Sequence, residues 1–198
     1  MNTLRLITLS IFAVLLLTLA SGCGTTFSQV PVKPAALAGR QVLPHHVALV
    51  LNQELASYQH KFVLVGGTDV YPIGDALQEY ALDVTSNSFE KVDVVPAEEK
   101  AASLTSDDLI LVPRVVKSDT SFGHGQYTIT LVMEWTAKDR ASQNTIWLKT
   151  LDGTASEEMG SVFTILKHRR ILFQKAFDDL SPKTYQAFHE APEFRGSQ

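Results

Sequence analysis

Alternation of apolar and mostly polar residues between positions 127 and 136 is the feature that most constrains the fold. The apolar positions are Tyr127, Ile129, Leu131, Met133 and Trp135. Because successive side chains of a strand point to opposite faces, this pattern predicts a long antiparallel strand with one covered face. A polar turn over residues 138–144 and a returning strand over Thr145–Leu151 complete a predicted hairpin. The covered face requires a second layer, which other segments must supply.

Two segments with helical periodicity can supply that layer. The first stripe consists of Ile73, Ala76, Leu77, Tyr80, Ala81 and Val84. These residues recur at the spacing of one helix face, and Pro72 suits the first turn of such a helix. A second helix is predicted over Met159–Leu180, with Glu157 and Glu158 at its start. Ser181 and Pro182 are predicted to begin a further short helix that ends at His189.

Four more segments are predicted strands. They are Val47–Leu51, Lys61–Val65, Phe89–Val95 and Asp108–Lys117. Pro113 lies inside the last one and cannot donate a ladder hydrogen bond, so an edge or a bulge is expected there. Gly66 and Gly67 are interpreted as a strand-to-helix turn. We therefore expect an α+β fold, with a mixed or largely antiparallel sheet of about five to six strands and two main helices packed on one face.

Composition excludes several classes of protein. The chain has 198 residues, is 45% hydrophobic and carries a formal net charge of −4. A mildly acidic protein has no general attraction for nucleic acid, so no nucleic-acid partner is expected. A single cysteine excludes an internal disulfide framework and a multi-cysteine zinc site. That cysteine therefore needs a specific explanation.

The first 22 residues have the organisation of an export signal. Arg5 precedes an apolar stretch over Leu6–Ala20, and small residues follow it. A spanning helix needs about 20 apolar residues, so this stretch is short for a membrane anchor. We predict a signal peptide over residues 1–22, and an uncleaved anchor is the alternative interpretation.

The segment Leu19–Cys23 resembles the lipobox of bacterial lipoproteins, although Ala20 stands where that family often has Leu. The resemblance implies that Cys23 carries diacylglycerol on its sulfur and an acyl chain on its new amine, with no other cofactor. Gly24, in the enterobacterial sorting rule, implies the outer membrane, and a host without that rule leaves the inner membrane open. A buried cysteine behind a plain signal is the alternative. Residues 23–44 are predicted to be the lipidated N-terminus and an extended tether.

Motifs for catalysis and metal binding are absent from the sequence. No nucleophile elbow, zinc-protease motif or phosphate loop is present. His45 and His46 are adjacent, so on a strand they point to opposite faces and do not share one ion. The other four histidines are scattered. We therefore predict neither a metal site nor enzymatic activity.

Three residues are candidates for contact with a partner. Arg169 and Arg170 fall within the apolar arc of the second helix, which would suit a groove for an acidic or phosphorylated partner. The alternative is a kinked helix whose middle turn reaches solvent. Phe122 lies in a predicted loop over Ser121–Gln126, where it would either contact a partner or tuck under the sheet edge.

Together these observations favour a non-enzymatic outer-membrane lipoprotein that faces the periplasm. It would be an adaptor or assembly partner for an envelope protein, built from one domain over residues 45–190 and a frayed tail over 191–198. The order of elements is loosely similar to that of small envelope-assembly lipoproteins, without a shared motif. The alternative is a lipid or polysaccharide carrier, or an auxiliary subunit of an envelope transporter, and a carrier would need an apolar cavity of several hundred Å³. An envelope hydrolase would need a nucleophile and a base within hydrogen-bond reach. The oligomeric state is left open.

Overall fold

The computed structural model describes residues 42–64, 67–106, 108–158 and 162–195. The predicted leader, Cys23 and nearly all of the tether lie outside the described residues. The strands are β1 (Leu43–Val50), β2 (Gln59–Leu64), β3 (Gly67–Pro72), β4 (Phe89–Val95), β5 (Leu109–Gly123), β6 (Gln126–Asp139) and β7 (Thr145–Glu158). The helices are α1 (Gln53–Ala56), α2 (Gly74–Ser86), α3 (Glu98–Ser103) and α4 (Val162–Glu190), followed by a 3₁₀ turn over Pro192–Phe194.

Five strands form one mixed sheet in the order β4-β1-β5-β6-β7. β1 runs parallel to both β4 and β5, whereas β5, β6 and β7 form an antiparallel meander. β2 and β3 form a separate antiparallel hairpin. The chain crosses from β1 to β4 through this hairpin and α2. The predicted α+β class and the mixed sheet are confirmed.

The two long helices, α2 and α4, share one buried core with the sheet. Apolar side chains of α2, such as Leu77, and of α4, such as Phe177, are fully buried with the inward residues of β6. The strand side of this core is Tyr127, Ile129, Leu131, Met133 and Trp135, the five positions of the alternating pattern. The opposite face is covered over β1, β4 and β5 by α3, through Ala101. The prediction that two main helices pack on one face is confirmed.

The meander extends far beyond the rest of the sheet. The pairing of β1 with β5 ends at Leu49 and Leu111, but β5 continues to Gly123. Those twelve further residues span about 40 Å along the strand at ordinary strand rise. We call this extension, with the parts of β6 and β7 paired to it, the distal arm. Val42, where the tether joins β1, lies in the opposite direction along the sheet.

The local signals at prolines and glycines were partly misread. Pro72 is the last residue of β3 rather than part of a helix, and Gly67 begins β3 rather than a strand-to-helix turn. The strand predicted over Lys61–Val65 is β2, but its partner β3 was missed because it begins at a glycine and ends in a proline. Pro113 was expected at an edge or a bulge. It lies where β1 no longer pairs with β5, close to a register shift between Val115 and Lys117.

The C-terminal region also departs from expectation. Ser181 does not cap a new helix, because α4 continues through Pro182 to Glu190 and the Ser181 hydroxyl donates to the Phe177 carbonyl within it. Glu157 and Glu158 end β7 instead of starting α4. The predicted start of this helix at Met159 lies outside the described residues. Phe194, expected in a frayed tail, is fully buried because its ring packs against Trp147 and Phe89.

Candidate functional site

The β2–β3 hairpin is attached to the distal arm by aromatic rings. Phe62 of β2 stacks on Tyr127 of β6, with ring centres 6.0 Å apart. Phe173 of α4 lies 6.3 Å from Phe62 and 5.7 Å from Tyr71 of β3. These four rings are buried. Arrangements of this kind contribute about 0.5–1.5 kcal/mol per pair beyond the burial of area. We call these rings, with Phe122 and Arg169 at their ends, the distal cluster.

Phe122 forms one end of the distal cluster. The predicted loop over Ser121–Gln126 is a two-residue turn, in which His124 and Gly125 have φ angles of 52° and 75°. Positive φ at both central positions matches the twist of a tight hairpin. The Phe122 ring lies 4.8 Å from Tyr127, and the residue remains 46% exposed. Phe122 therefore presents part of an aromatic side chain to solvent near the tip of the arm.

Arg169 forms the other end. Its guanidinium carbon lies 4.5 Å from the centre of the Tyr71 ring, a cation–π geometry. Burial raises the pKa of Tyr71, and the positive charges of Arg169 and Arg170 act in the opposite direction. Arg169 is half-buried, but Arg170 and its neighbour Ile171 are exposed. The prediction that both arginines lie in the apolar arc is wrong for Arg170, which fits the solvent-facing alternative.

The structure thus connects two of the predicted contact residues. Ring contacts run from Arg169 through Tyr71 and Phe62 to Tyr127 and Phe122. Sequence spacing gave no sign of this connection, because it depends on the β2–β3 hairpin that the sequence did not predict. The only local signal was the predicted strand over Lys61–Val65, which corresponds to β2.

His60 lies inside the same end of the molecule and is fully buried. Its ring makes edge contacts with Phe62 at 4.4 Å and with Phe173 at 5.1 Å. Its Nδ1 shares a 2.5 Å hydrogen bond with the Ser118 hydroxyl of β5. Burial lowers the pKa of His60 to about 4, although the charge of Asp119 acts in the opposite direction. His60 is therefore an uncharged core residue at neutral pH.

Ser118 and His60 have the separation that a nucleophile and its base require. In such pairs the second nitrogen of the base is held by a third group. The Nε2 atom of His60 is buried without a hydrogen-bond partner among the described residues. Ser118 also interacts with the Tyr58 hydroxyl, whose pKa burial raises and this hydrogen bond lowers. The arrangement fits a polar link between β2 and β5.

Two hollows lie on the surface of the described part of the chain. An open groove of about 510 Å³ lies beside β7 and the end of α4, and most of its lining residues are polar or charged. A second hollow, beside Tyr58 and Pro113, measures about 10 Å³. Within the described ranges, no three His, Cys, Asp or Glu side chains are grouped as metal ligands. No described helix has the length and apolar character needed to cross a bilayer.

The chain was compared with family models, curated proteins and solved structures. No family model and no curated protein matches the chain. Its fold is similar to that of protein XCC0632 from Xanthomonas campestris. That protein, of the family DUF330, is 11% identical, with a TM-score of 0.56, and the match covers 82% of this chain and 95% of that one. At this identity, the likeness shows the fold alone.

Weaker matches include bacterial lipoproteins. A minor lipoprotein from Acinetobacter baumannii is 15% identical with a TM-score of 0.43, covering 80% of this chain and 99% of that one. Lipoprotein GNA1162 from Neisseria meningitidis is 11% identical with a TM-score of 0.35, covering 65% and 96%. TM-scores this low do not establish a common fold, so nothing about this chain follows from these two matches.

Proposed function

We propose that the chain is a non-enzymatic lipoprotein of the bacterial envelope that contacts a partner protein through its distal cluster. The lipobox-like segment ending at Cys23 supports an anchor of diacylglycerol and an N-acyl chain. Gly24 supports the outer membrane, and the domain would face the periplasm. Two or three acyl chains are enough for stable anchoring, whereas one is marginal.

The adaptor role rests on one observation: the tether junction and the tip of the distal arm lie at opposite ends of the sheet. The tether joins the sheet at Val42, while Phe122 lies near the tip of the distal arm at the opposite end of the sheet. Tethering restrains the first end, so the second is sterically available to other envelope proteins. An exposed aromatic, an exposed aliphatic residue and an arginine together form a suitable contact surface. Phe122 is exposed at one end of the distal cluster, and Arg170 and Ile171 are exposed on α4 next to Arg169 at the other end.

The chemistry of this surface suggests the chemistry of the partner. Arg170 offers a guanidinium for a carboxylate or a phosphorylated side chain, and Phe122 offers an aromatic edge for an apolar pocket. Arg169 is held by Tyr71 and contributes chiefly to the fold. The partner surface is therefore expected to combine an acidic group with an apolar depression.

The carrier alternative has less support. A carrier needs an apolar cavity between sheet and helices, but in the described part of the chain that space is filled by rings such as Tyr80, Trp135 and Phe177. The large groove beside β7 is open and mostly polar. An auxiliary subunit that touches a transporter without holding its cargo would use the same contact surface as an adaptor.

The anchor is tested by replacing Cys23. We expect a Cys23→Ser variant of the full chain to leave the membrane fraction and to lose incorporation of labelled palmitate. Intact-mass measurement of the parent protein should show the added acyl chains. A parent protein with a bare thiol, or a variant that remains processed and membrane-bound, would refute lipidation at Cys23.

The contact surface is tested by photo-crosslinking in intact cells. A photoreactive amino acid at position 122 should give one discrete crosslinked product. The same residue at position 94, where Val94 of β4 is 49% exposed, is the matched control. An Arg170→Glu change should weaken the product at position 122 without lowering the melting temperature. Equal products at both positions, or lost stability with crosslinking intact, would exclude the distal cluster as the contact surface.

A further inference from the structure

The outer edge of β7 is covered along only part of its length. Near the distal arm, Asp179 of α4 accepts a 2.9 Å hydrogen bond from the Thr154 N–H, and Lys183 donates to the Asp152 carbonyl at 2.8 Å. Alternate residues of an antiparallel strand direct their backbone groups to the same edge. Leu148 and Thr150 therefore also present N–H and C=O groups outward, and no described residue bonds to them. Such an edge is a template for another strand.

The free edge has a large exposed apolar side chain at its centre and Lys149 beside it, and a register shift in the pairing with β6 marks its end between Trp147 and Thr145. Leu148 is 57% exposed, the largest fraction among the large apolar residues of the described chain. It lies at the centre of the free stretch, on the face of the sheet that α4 does not cover. On the other face, Trp147 is half-buried against Phe188 and Phe194, and it lines the groove of about 510 Å³.

The charged residues that α4 contributes to this groove change from basic to acidic along β7. Residue numbers on α4 rise as those on β7 fall, because Lys175 contacts Glu157 and Lys183 contacts Asp152. Lys183 therefore lies toward the distal arm, and Glu190 and Glu193 lie toward the start of β7. A strand running in the opposite direction would carry the same charges in reverse order.

We propose that a second copy of this chain pairs with this edge. The two β7 strands would run antiparallel about a two-fold axis at Leu148, joining five strands from each copy into one continuous sheet. Isologous pairing of this kind requires a self-complementary surface. Lys183 is paired with Asp179 and Asp152 of its own copy, so Lys149 is the groove lysine that would face Glu190 and Glu193 of the other copy.

The choice of register rests on the side chains that it brings together. With the axis at Leu148, the exposed leucine packs against Leu148 of the second copy, and Lys149 lies opposite Trp147 of the second copy. A shift of the axis to Lys149 would place two lysines directly opposite each other, which is destabilising. A further shift to Thr150 would require the Asp152 carbonyl, which already accepts from Lys183.

Proline at position 150 provides the sharpest test of the pairing. Thr150→Pro removes an N–H that faces away from β6, and proline is tolerated at such edge positions. Because the dimer is two-fold symmetric, the substitution removes one hydrogen bond in each copy and therefore two per dimer. At about 1 kcal/mol each, their loss should raise the dimer dissociation constant about 30-fold. Thr150→Ala keeps the N–H and is the matched control.

The measurement is light scattering coupled to size exclusion, on the full chain in mild detergent across a concentration series. We expect a dimer mass for the parent and for Thr150→Ala, and dissociation at much higher concentration for Thr150→Pro. Circular dichroism and melting of the Thr150→Pro variant report whether it is folded. A monomeric parent, or a folded proline variant that dimerises like the parent, would overturn the proposal.

A crosslink tests the register independently of the proline variant. In a hydrogen-bonded antiparallel pair the two Cα atoms are about 5.5 Å apart, within the range of a disulfide. Leu148→Cys should therefore give a disulfide-linked dimer under mild oxidation. The unaltered chain controls for Cys23, and Val116→Cys controls for exposure, because Val116 is 51% exposed on β5. Equal crosslinking of the two cysteine variants would overturn pairing through β7.

Discussion

Acidification from pH 7 to pH 4 should lower the free energy of unfolding, because the imidazole of His60 is buried in its uncharged form. The imidazole is 0% exposed, and burial lowers its pKa to about 4. In the unfolded chain the same group has its ordinary pKa of 6.5. Between these two values the unfolded chain binds a proton that the folded chain does not. The free energy of unfolding must therefore fall as the pH falls through this window.

The size of the effect follows from the two pKa values. One pKa step corresponds to about 1.4 kcal/mol. The difference between 6.5 and about 4 therefore amounts to a loss of about 3 kcal/mol of stability by pH 4. A domain of this size has a total stability of about 5–15 kcal/mol, so the loss should be visible as a large shift in the denaturation midpoint.

The assay is urea unfolding at pH 7, 6, 5 and 4, followed by the fluorescence of Trp135 and Trp147. His60→Phe removes the titrating group but keeps a ring between Phe62 and Phe173. It should be less stable at pH 7, because the hydrogen bond to Ser118 is lost, but it should lose about 3 kcal/mol less between pH 7 and pH 4.

A matched control separates this effect from general acid denaturation. His124→Asn changes an exposed histidine at a turn position with positive φ, which asparagine tolerates. This variant should follow the pH dependence of the parent. Identical pH dependence of His60→Phe and the parent, or NMR titration of the His60 ring near pH 6.5, would refute the reasoning.

Three further substitutions test the packing of the helices. Gly153→Ala would place a Cβ atom 2.2 Å from the Ala176 carbonyl oxygen, so we expect a loss of about 3 kcal/mol or more in chemical denaturation. Unchanged stability would show that α4 is not held this close to β7. Pro182→Ala restores a helical N–H at an exposed position and should raise the melting temperature, by a gain of about 1–3 kcal/mol; a lower melting temperature would contradict this. Tyr80→Phe removes the buried 2.5 Å hydrogen bond to Thr184 and should cost about 1–2 kcal/mol, whereas no loss would show that this bond is dispensable.

The parts of the fold that local periodicity determines were predicted from the sequence. The alternation in β6 fixed both its strand character and its buried face, because a strand repeats every two residues. The stripe of α2 did the same for a helix, which begins at Gly74. The layer arrangement then followed, because the apolar faces of a sheet and of two helices must cover one another.

The parts that depend on distant contacts were not predictable. Pro182 is an ordinary stop signal for a helix, yet α4 continues because Phe177, Leu180 and Phe188 are buried on both sides of it. Packing of this kind outweighs the cost of one missing hydrogen bond. The same limit applied to the candidate site. Phe122 was identified as an aromatic residue in a predicted loop, and Arg169 as a charged residue on an apolar helix face. Only the tertiary structure connects them, through Phe62 and Tyr71.

The two proposed surfaces lie on different parts of the molecule, and this separation has a geometric consequence. Pairing at Leu148 uses the proximal half of β7, whereas Phe122 lies near the tip of the distal arm. In an antiparallel dimer the two arms would point in opposite directions. Each dimer would then offer two contact surfaces to its partners. Thr150→Pro should therefore leave the crosslink from position 122 in place but reduce the number of partners held per assembly from two to one.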